Sequence, residues 1–118
     1  MKDSLYNYKC KLLRILDGDT IECNIDLGFD IWRKAKVRLQ NIDAPELRTE
    51  DLTEKKNAIE STEMLRKLIV DENPNGIFYI KSKKVDSFGR CLAILILESG
   101  LEVNTALVEL GYASEWKI

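Results

Sequence analysis

The chain has 118 residues, 45% of them hydrophobic and 32% charged, with a formal net charge of −2. That length suits one domain, residues 1–118, around one core, and the near-neutral charge excludes a polyanion binder that works by bulk positive charge, so any phosphate binding must be local. The absence of histidine removes Ser-His-Asp catalysis, histidine general bases and histidine metal sites, leaving carboxylates, Arg, Lys, Tyr or a bound metal to do chemistry.

Tyr6–Leu16 is rich in strand formers and is broken by the turn residues Asp17-Gly18-Asp19. Thr20–Leu27 then alternates, with Ile21, Cys23 and Ile25 on one face and Thr20, Glu22 and Asn24 on the other, the period of a half-buried strand. After Gly28, the stretch from Phe29 to Ile42 reads as a third strand, with Val37 and Leu39 facing away from Arg38. The period changes after Glu46. Ala58, Ile59, Met64, Leu65, Leu68 and Ile69 recur at helical spacing over residues 51–70, and Asp51 with Glu54 fits a capping box. Asp71–Gly76 ends that helix. Strands are predicted over Ile77–Val85 and Arg90–Leu97, then a short helix with Val103, Ala106, Leu107 and Leu110 on one face and Gly111 as its terminating glycine.

The order predicts a mainly β protein with helices (α+β): a five-stranded OB-fold barrel with a helix between strands 3 and 4 and a short C-terminal helix, an architecture that commonly binds oligonucleotides. Cys10, Cys23 and Cys91 fall in strand-like runs at long spacings. They read as small hydrophobes, which favours a reducing compartment. No apolar segment opens the sequence as a signal peptide does, and no run reaches the about 20 residues needed to span a bilayer. The expectation is a cytoplasmic location for the chain as given, with no membrane partner; secretion from a longer precursor stays open.

Five side chains carry the candidate chemistry. Asp19 sits in an Asp-Gly-Asp turn, where ordinary turn hydrogen bonding competes with a metal role. Asp43 and Glu46 flank Ala44-Pro45; they read either as solvated loop acids or as hard-cation ligands, with Pro45 stiffening the turn and biasing Ala44 to an extended geometry. Arg38 and Arg90 read as surface arginines or as paired phosphate ligands, since each guanidinium can donate two parallel hydrogen bonds.

The segments ILDGDTIE, VRLQNIDAPE, DSFGR and VNTALVELGYA occur in that order. Together they resemble the staphylococcal (thermonuclease) nuclease family, over roughly Leu13 to Ala113. The resemblance implies an OB-fold barrel, a Ca²⁺ cofactor and hydrolysis of DNA and RNA to products ending in 3′-phosphate. It assigns Asp19, Asp43 and the backbone carbonyl of Ala44 to the metal, Arg38 and Arg90 to the phosphate, and Glu46 to the general base or to water positioning. Asp86 matches an acid near the nucleotide pocket, and Phe88 stands where the family's type member has a substrate-binding tyrosine. Ser87 replaces a lysine there, and the later substrate-site tyrosines fall at Lys117 and beyond Ile118, so the grip on substrate is expected to be weaker than the chemistry. A monomeric nuclease is the leading expectation. The alternative is a catalytically quiet OB module that binds nucleic acid or a protein partner.

Overall fold

The computed structural model describes residues 6–85 and 89–115. In chain order the elements are β1 (Tyr6–Asp17), β2 (Thr20–Asp26), β3 (Trp32–Leu39), β4 (Ile42–Asp43), α1 (Leu52–Glu72), β5 (Ile77–Val85), β6 (Cys91–Ile96), α2 (Val103–Glu109) and β7 (Ser114–Glu115). Five strands close a barrel in the order β1-β2-β3-β6-β5, and β4 pairs with β7 in a small separate sheet. All barrel pairs are antiparallel except β3 with β6. This is the expected OB-type barrel with a helix inserted before its last two strands.

The alternation in β2 is what seats the core. Ile21, Cys23 and Ile25 point inward with Val37 and Leu39 of β3. They meet Phe78 and Ile80 of β5, Ala93 and Leu95 of β6, and Leu65 and Ile69 of α1 in one apolar cluster. Register shifts in β1 between Leu12 and Arg14 and between Ile15 and Asp17 bend that long strand around the barrel. Cys10 and Cys23 are fully buried free thiols. The Cys10 thiol is pushed far above its ordinary range by its hydrogen bond with Cys23 and by burial, so it packs as an inert hydrophobe.

The predicted third strand is too long. Its ladder ends at Leu39, because Asn41 adopts a left-handed φ of 66° and turns the chain before β4. The α1 cap is half the predicted box. The Asp51 carboxylate accepts from the Thr53 and Glu54 amides, as expected, whereas the Asp51 amide donates to Thr49 Oγ1. The buried face of α1 carries Ser61 and Thr62, while Ile59 is exposed. Thr62 turns its hydroxyl onto the Ala58 carbonyl and Ser61 donates to the Tyr112 carbonyl, so both polar groups are satisfied inside the packing. At α2, the predicted glycine stop is a Schellman motif: Gly111, at φ 86°, donates to Val108 O and Tyr112 donates to Leu107 O. Leu110, expected on the apolar face, is exposed.

Asn104 joins α2 to the barrel. Its carboxamide oxygen accepts from Leu95 N at 3.0 Å, and its nitrogen donates to Gln40 O at 2.9 Å and Ala93 O at 3.1 Å. These partners belong to β6 and to the residue just after β3, so one buried side chain clamps the parallel seam where the barrel closes. Asn104→Ala is expected to cost about 2–3 kcal/mol in urea denaturation, through the stranded Leu95 amide. The near-isosteric Asn104→Asp should be at least as damaging, because it removes the two donors and faces the carbonyls with charge.

Candidate active site

Asp17 and Thr20 are cross-strand partners, so the β1–β2 turn consists of Gly18 and Asp19. Asp19 is buried there, 7% exposed. Its Oδ1 accepts from the Thr20 hydroxyl at 2.9 Å and its Oδ2 from the Ala44 amide at 2.8 Å, while its backbone carbonyl accepts from Leu39 N at 2.8 Å. One residue thus holds the end of β3 and the start of the 44–51 loop. Asp17 repeats the device: its Oδ1 accepts from Leu47 N at 3.1 Å. Sequence reasoning missed Asp17 as a positioning residue, although two acids astride one glycine were the visible signal.

Gly18 is required for space. Its φ is not left-handed, yet a Cβ added there would lie 2.7 Å from Ser61 Cβ and 3.0 Å from Ala44 Cβ. The turn is therefore wedged between α1 and the loop that carries Asp43 and Glu46.

Arg38 projects from the outer face of β3 beside this turn. Its Nη2 lies 3.4 Å from Asp19 Oδ2 and 3.4 Å from Asp43 Oδ1, and its Nη1 donates to the Leu39 carbonyl at 2.7 Å. The two acids, far apart in the chain, therefore converge on one cationic nitrogen. Their burial differs: the Asp43 side chain is 63% exposed against 9% for Asp19. Ser114 of β7 donates to the Asp43 carbonyl, which anchors β4. Beside Asp43 opens a cleft of about 840 Å³, walled by Pro45, Glu46, Glu54, Ser61 and Tyr112 among others. Glu46 is exposed on it.

Arg90 precedes β6, half-buried, two residues before Leu92, and Leu92 is the Cα partner of Arg38. The parallel seam thus brings both arginines to neighbouring strands. Ala44 is buried; the contact it makes to Asp19 is through its amide. Asp86 and Phe88 lie outside the described residues, as do Ser87 and Trp116. Among the described residues, no three His, Cys, Asp or Glu side chains cluster as a ready-made metal cage. No helix among them is long and apolar enough to cross a membrane.

The family model for the staphylococcal nuclease homologue matches residues 36–118, which takes in the second half of β3, the Asp43–Glu46 loop and everything after. The chain belongs to that family. It is 36% identical over 112 residues to endonuclease YhcR of Bacillus subtilis, an alignment that covers 89% of this chain and 9% of that protein. It is 32% identical over 108 residues to an uncharacterised Bacillus anthracis protein, with 92% of this chain and 47% of the relative covered. An uncharacterised endonuclease of Escherichia coli O157:H7 is 30% identical over 103 residues, with 87% and 58% covered. The chain therefore corresponds to part of each of these relatives, from under a tenth to somewhat over half of their length.

Gly18→Ala is expected to destabilise the fold by about 1–3 kcal/mol through overpacking against Ser61 and Ala44. In the double variant Gly18→Ala/Ser61→Gly, removal of the opposing Cβ should make the two losses clearly less than additive in a denaturation cycle. Additive losses would show that the wedge is not the cause.

Proposed function

We propose that the chain is a Ca²⁺-dependent nuclease that hydrolyses phosphodiester bonds of DNA or RNA. The observation that carries this reading is the convergence of the Asp19 and Asp43 carboxylates on the Arg38 guanidinium, at the mouth of a cleft that exposes Glu46. Membership of the nuclease family and the endonuclease names of two relatives support it.

The donor chemistry fits a hard cation. Both acids offer carboxylate oxygens, and the site already accommodates positive charge between them. Each bond to Asp19 from Thr20 and Ala44 uses only part of its acceptor capacity. Asp19, Asp43 and the Ala44 carbonyl would hold the ion, leaving its other positions to water and phosphate. Bound Ca²⁺ supplies Lewis acidity that offsets phosphate charge and favours attack by water.

The remaining work belongs to the side chains. Arg38, with Nη1 tied to the Leu39 carbonyl and Nη2 beside Asp19 and Asp43, would offer its remaining donor hydrogens to a phosphate and stabilise charge growing on its oxygens. Arg90 adds a second guanidinium from the neighbouring strand. Glu46 would accept a hydrogen bond from the attacking water, orient it and take its proton as the new P–O bond forms, while the ester P–O bond opposite breaks and the leaving sugar oxygen takes a proton from solvent. The Ala44 amide holds Asp19 in one rotamer, so the acid need not reorganise during turnover.

Cleavage of labelled single-stranded DNA and RNA should require Ca²⁺ and stop in EDTA. Arg38→Ala is expected to lower kcat by about 10²–10³, and Arg38→Lys should recover little of it, because a point charge lacks the bidentate fork. Undiminished cleavage in EDTA would overturn the metal mechanism. Binding of nucleic acid without cleavage in any divalent cation would assign the chain to the quiet OB modules instead.

A further inference from the structure

The register of the barrel lines up a second set of residues with Arg38. On β3, Trp32, Lys34, Lys36 and Arg38 alternate with the inward Val37 and half-buried Ala35, so they share the outer face. Their partners on β2 are Asp26, Asn24, Glu22 and Thr20. Lys11 and Arg14 of β1 stand beside Asn24 and Glu22. The ion pairs that Glu22 makes with Arg14 at 2.9 Å and Lys34 at 3.9 Å show that the three strands present these side chains to one side.

This face is basic in a chain whose net charge is −2. Lys11, Arg14, Lys34 and Lys36 outnumber Glu22 and Asp26, and Arg38 at the end of the column is faced by Asp19 and Asp43. The cleft on the other side of Asp43 has the opposite sign, with Glu46, Asp51, Glu54 and Glu60 in its walls. A polyanion that reaches Arg38 is therefore attracted along β3 and repelled from the cleft. The spacing also suits a nucleic acid. Alternate residues of a strand lie about 6.7 Å apart, close to the interval between successive phosphates of an extended single strand.

The far end of the column is aromatic. Trp32 is 48% exposed, and Phe29, at the β2–β3 turn, is 98% exposed. Ile31 N donates to Gly28 O across that turn, with Phe29 at φ 56° and Asp30 at φ 62°. Both central residues are left-handed, a conformation that favours Gly or Asn and costs a bulky side chain about 1 kcal/mol. Trp32 lies about 20 Å along the strand from Arg38, and the chain holds the Phe29 phenyl ring in solvent, in a strained turn, beyond it.

The geometry points to the outer face of β1–β2–β3 as a track for single-stranded nucleic acid, with Lys34 and Lys36 on successive phosphates, Trp32 and Phe29 stacking on bases, and the strand delivered to Arg38. This deepens the proposed nuclease function and rests on the phosphate role given there to Arg38. Single strands are favoured over duplex because stacking platforms need unpaired base faces.

The test is binding without catalysis: fluorescence anisotropy of a labelled oligo-dT of about 12 nucleotides, within the span of one OB barrel, in EDTA across a salt series. Lys34→Gln/Lys36→Gln should weaken binding about tenfold or more at low salt and reduce the salt slope by about 0.7 per lysine removed. The charge-matched Lys55→Gln/Lys67→Gln, on exposed positions of α1, should bind as the unmodified chain does. In a Trp116→Phe background, which leaves Trp32 as the one tryptophan, oligo-dT should quench the indole fluorescence. Thermal melts check that each variant is folded. Equal losses in both lysine pairs, absence of quenching, or duplex binding as tight as single-strand binding with the same sensitivity would each overturn the track. Because no cleavage is involved, failure of the nuclease reading leaves this measurement interpretable: a track without turnover keeps the track, and turnover without it keeps the nuclease.

Discussion

A carboxylate withdrawn from water needs its charge answered by fixed donors, and at Asp19 those donors decide how the molecule is put together. The hydroxyl of the next residue, the amide of Ala44 and the guanidinium of Arg38 all reach it. They come from β2, the loop after β4 and β3. Satisfying one buried charge therefore fixes the position of the site-bearing loop relative to the barrel. Its neighbour Asp17 takes the Leu47 amide, so the loop is held at two points by one turn. Pro45, which has no amide to offer, sits between them without leaving a donor stranded.

Packing enforces the same geometry from below. Gly18 allows α1 and Ala44 to approach the turn more closely than any side chain would permit, and Ser61, at that contact, also anchors Tyr112, three residues past α2. At the other side of β3, Asn104 ties α2 to the parallel seam. The rigid parts of the molecule thus surround Arg38 and Asp19, while Asp43 and Glu46 stay open to solvent. In the proposed nuclease, the guanidinium of Arg38 and the carboxylate of Asp19 would be pre-set for phosphate and charge, and the exposed side would leave room for water and a cation.

Charge is divided along the same line. The outer barrel face that runs toward Arg38 is basic, and the cleft beyond Asp43 is acidic. A near-neutral total conceals this separation. The field near the site, and not the net charge, governs how a polyanion approaches.

Much of this protein was determined by its sequence alone. Period-two alternation specified the inward faces of β2 and β3, because each inward position must be apolar in a small closed barrel. Gly111 marked the end of α2, since the stop requires a left-handed residue. The motif order carried the family and nominated Asp19, Arg38, Asp43 and Glu46. Other features appeared only in the fold. The exposed Leu110 and Ile59 and the buried Ser61 and Thr62 run against hydrophobicity, because partners distant in sequence decide which face of a helix is covered and supply the hydrogen bonds that let polar groups be buried. Gly18 looked like a turn glycine, yet its constraint is the proximity of Ser61. Asn104 gave no local sign of its bonds, the Asp17-Gly18-Asp19 turn did not show which amide Asp17 would hold, and the column from Trp32 to Arg38 became visible only when the strand register aligned β1, β2 and β3. Local periodicity and turn chemistry act over a few residues and can be read along the chain. Compensation of buried charge, close approach and surface fields depend on which residues meet across it, and tertiary structure alone decides that.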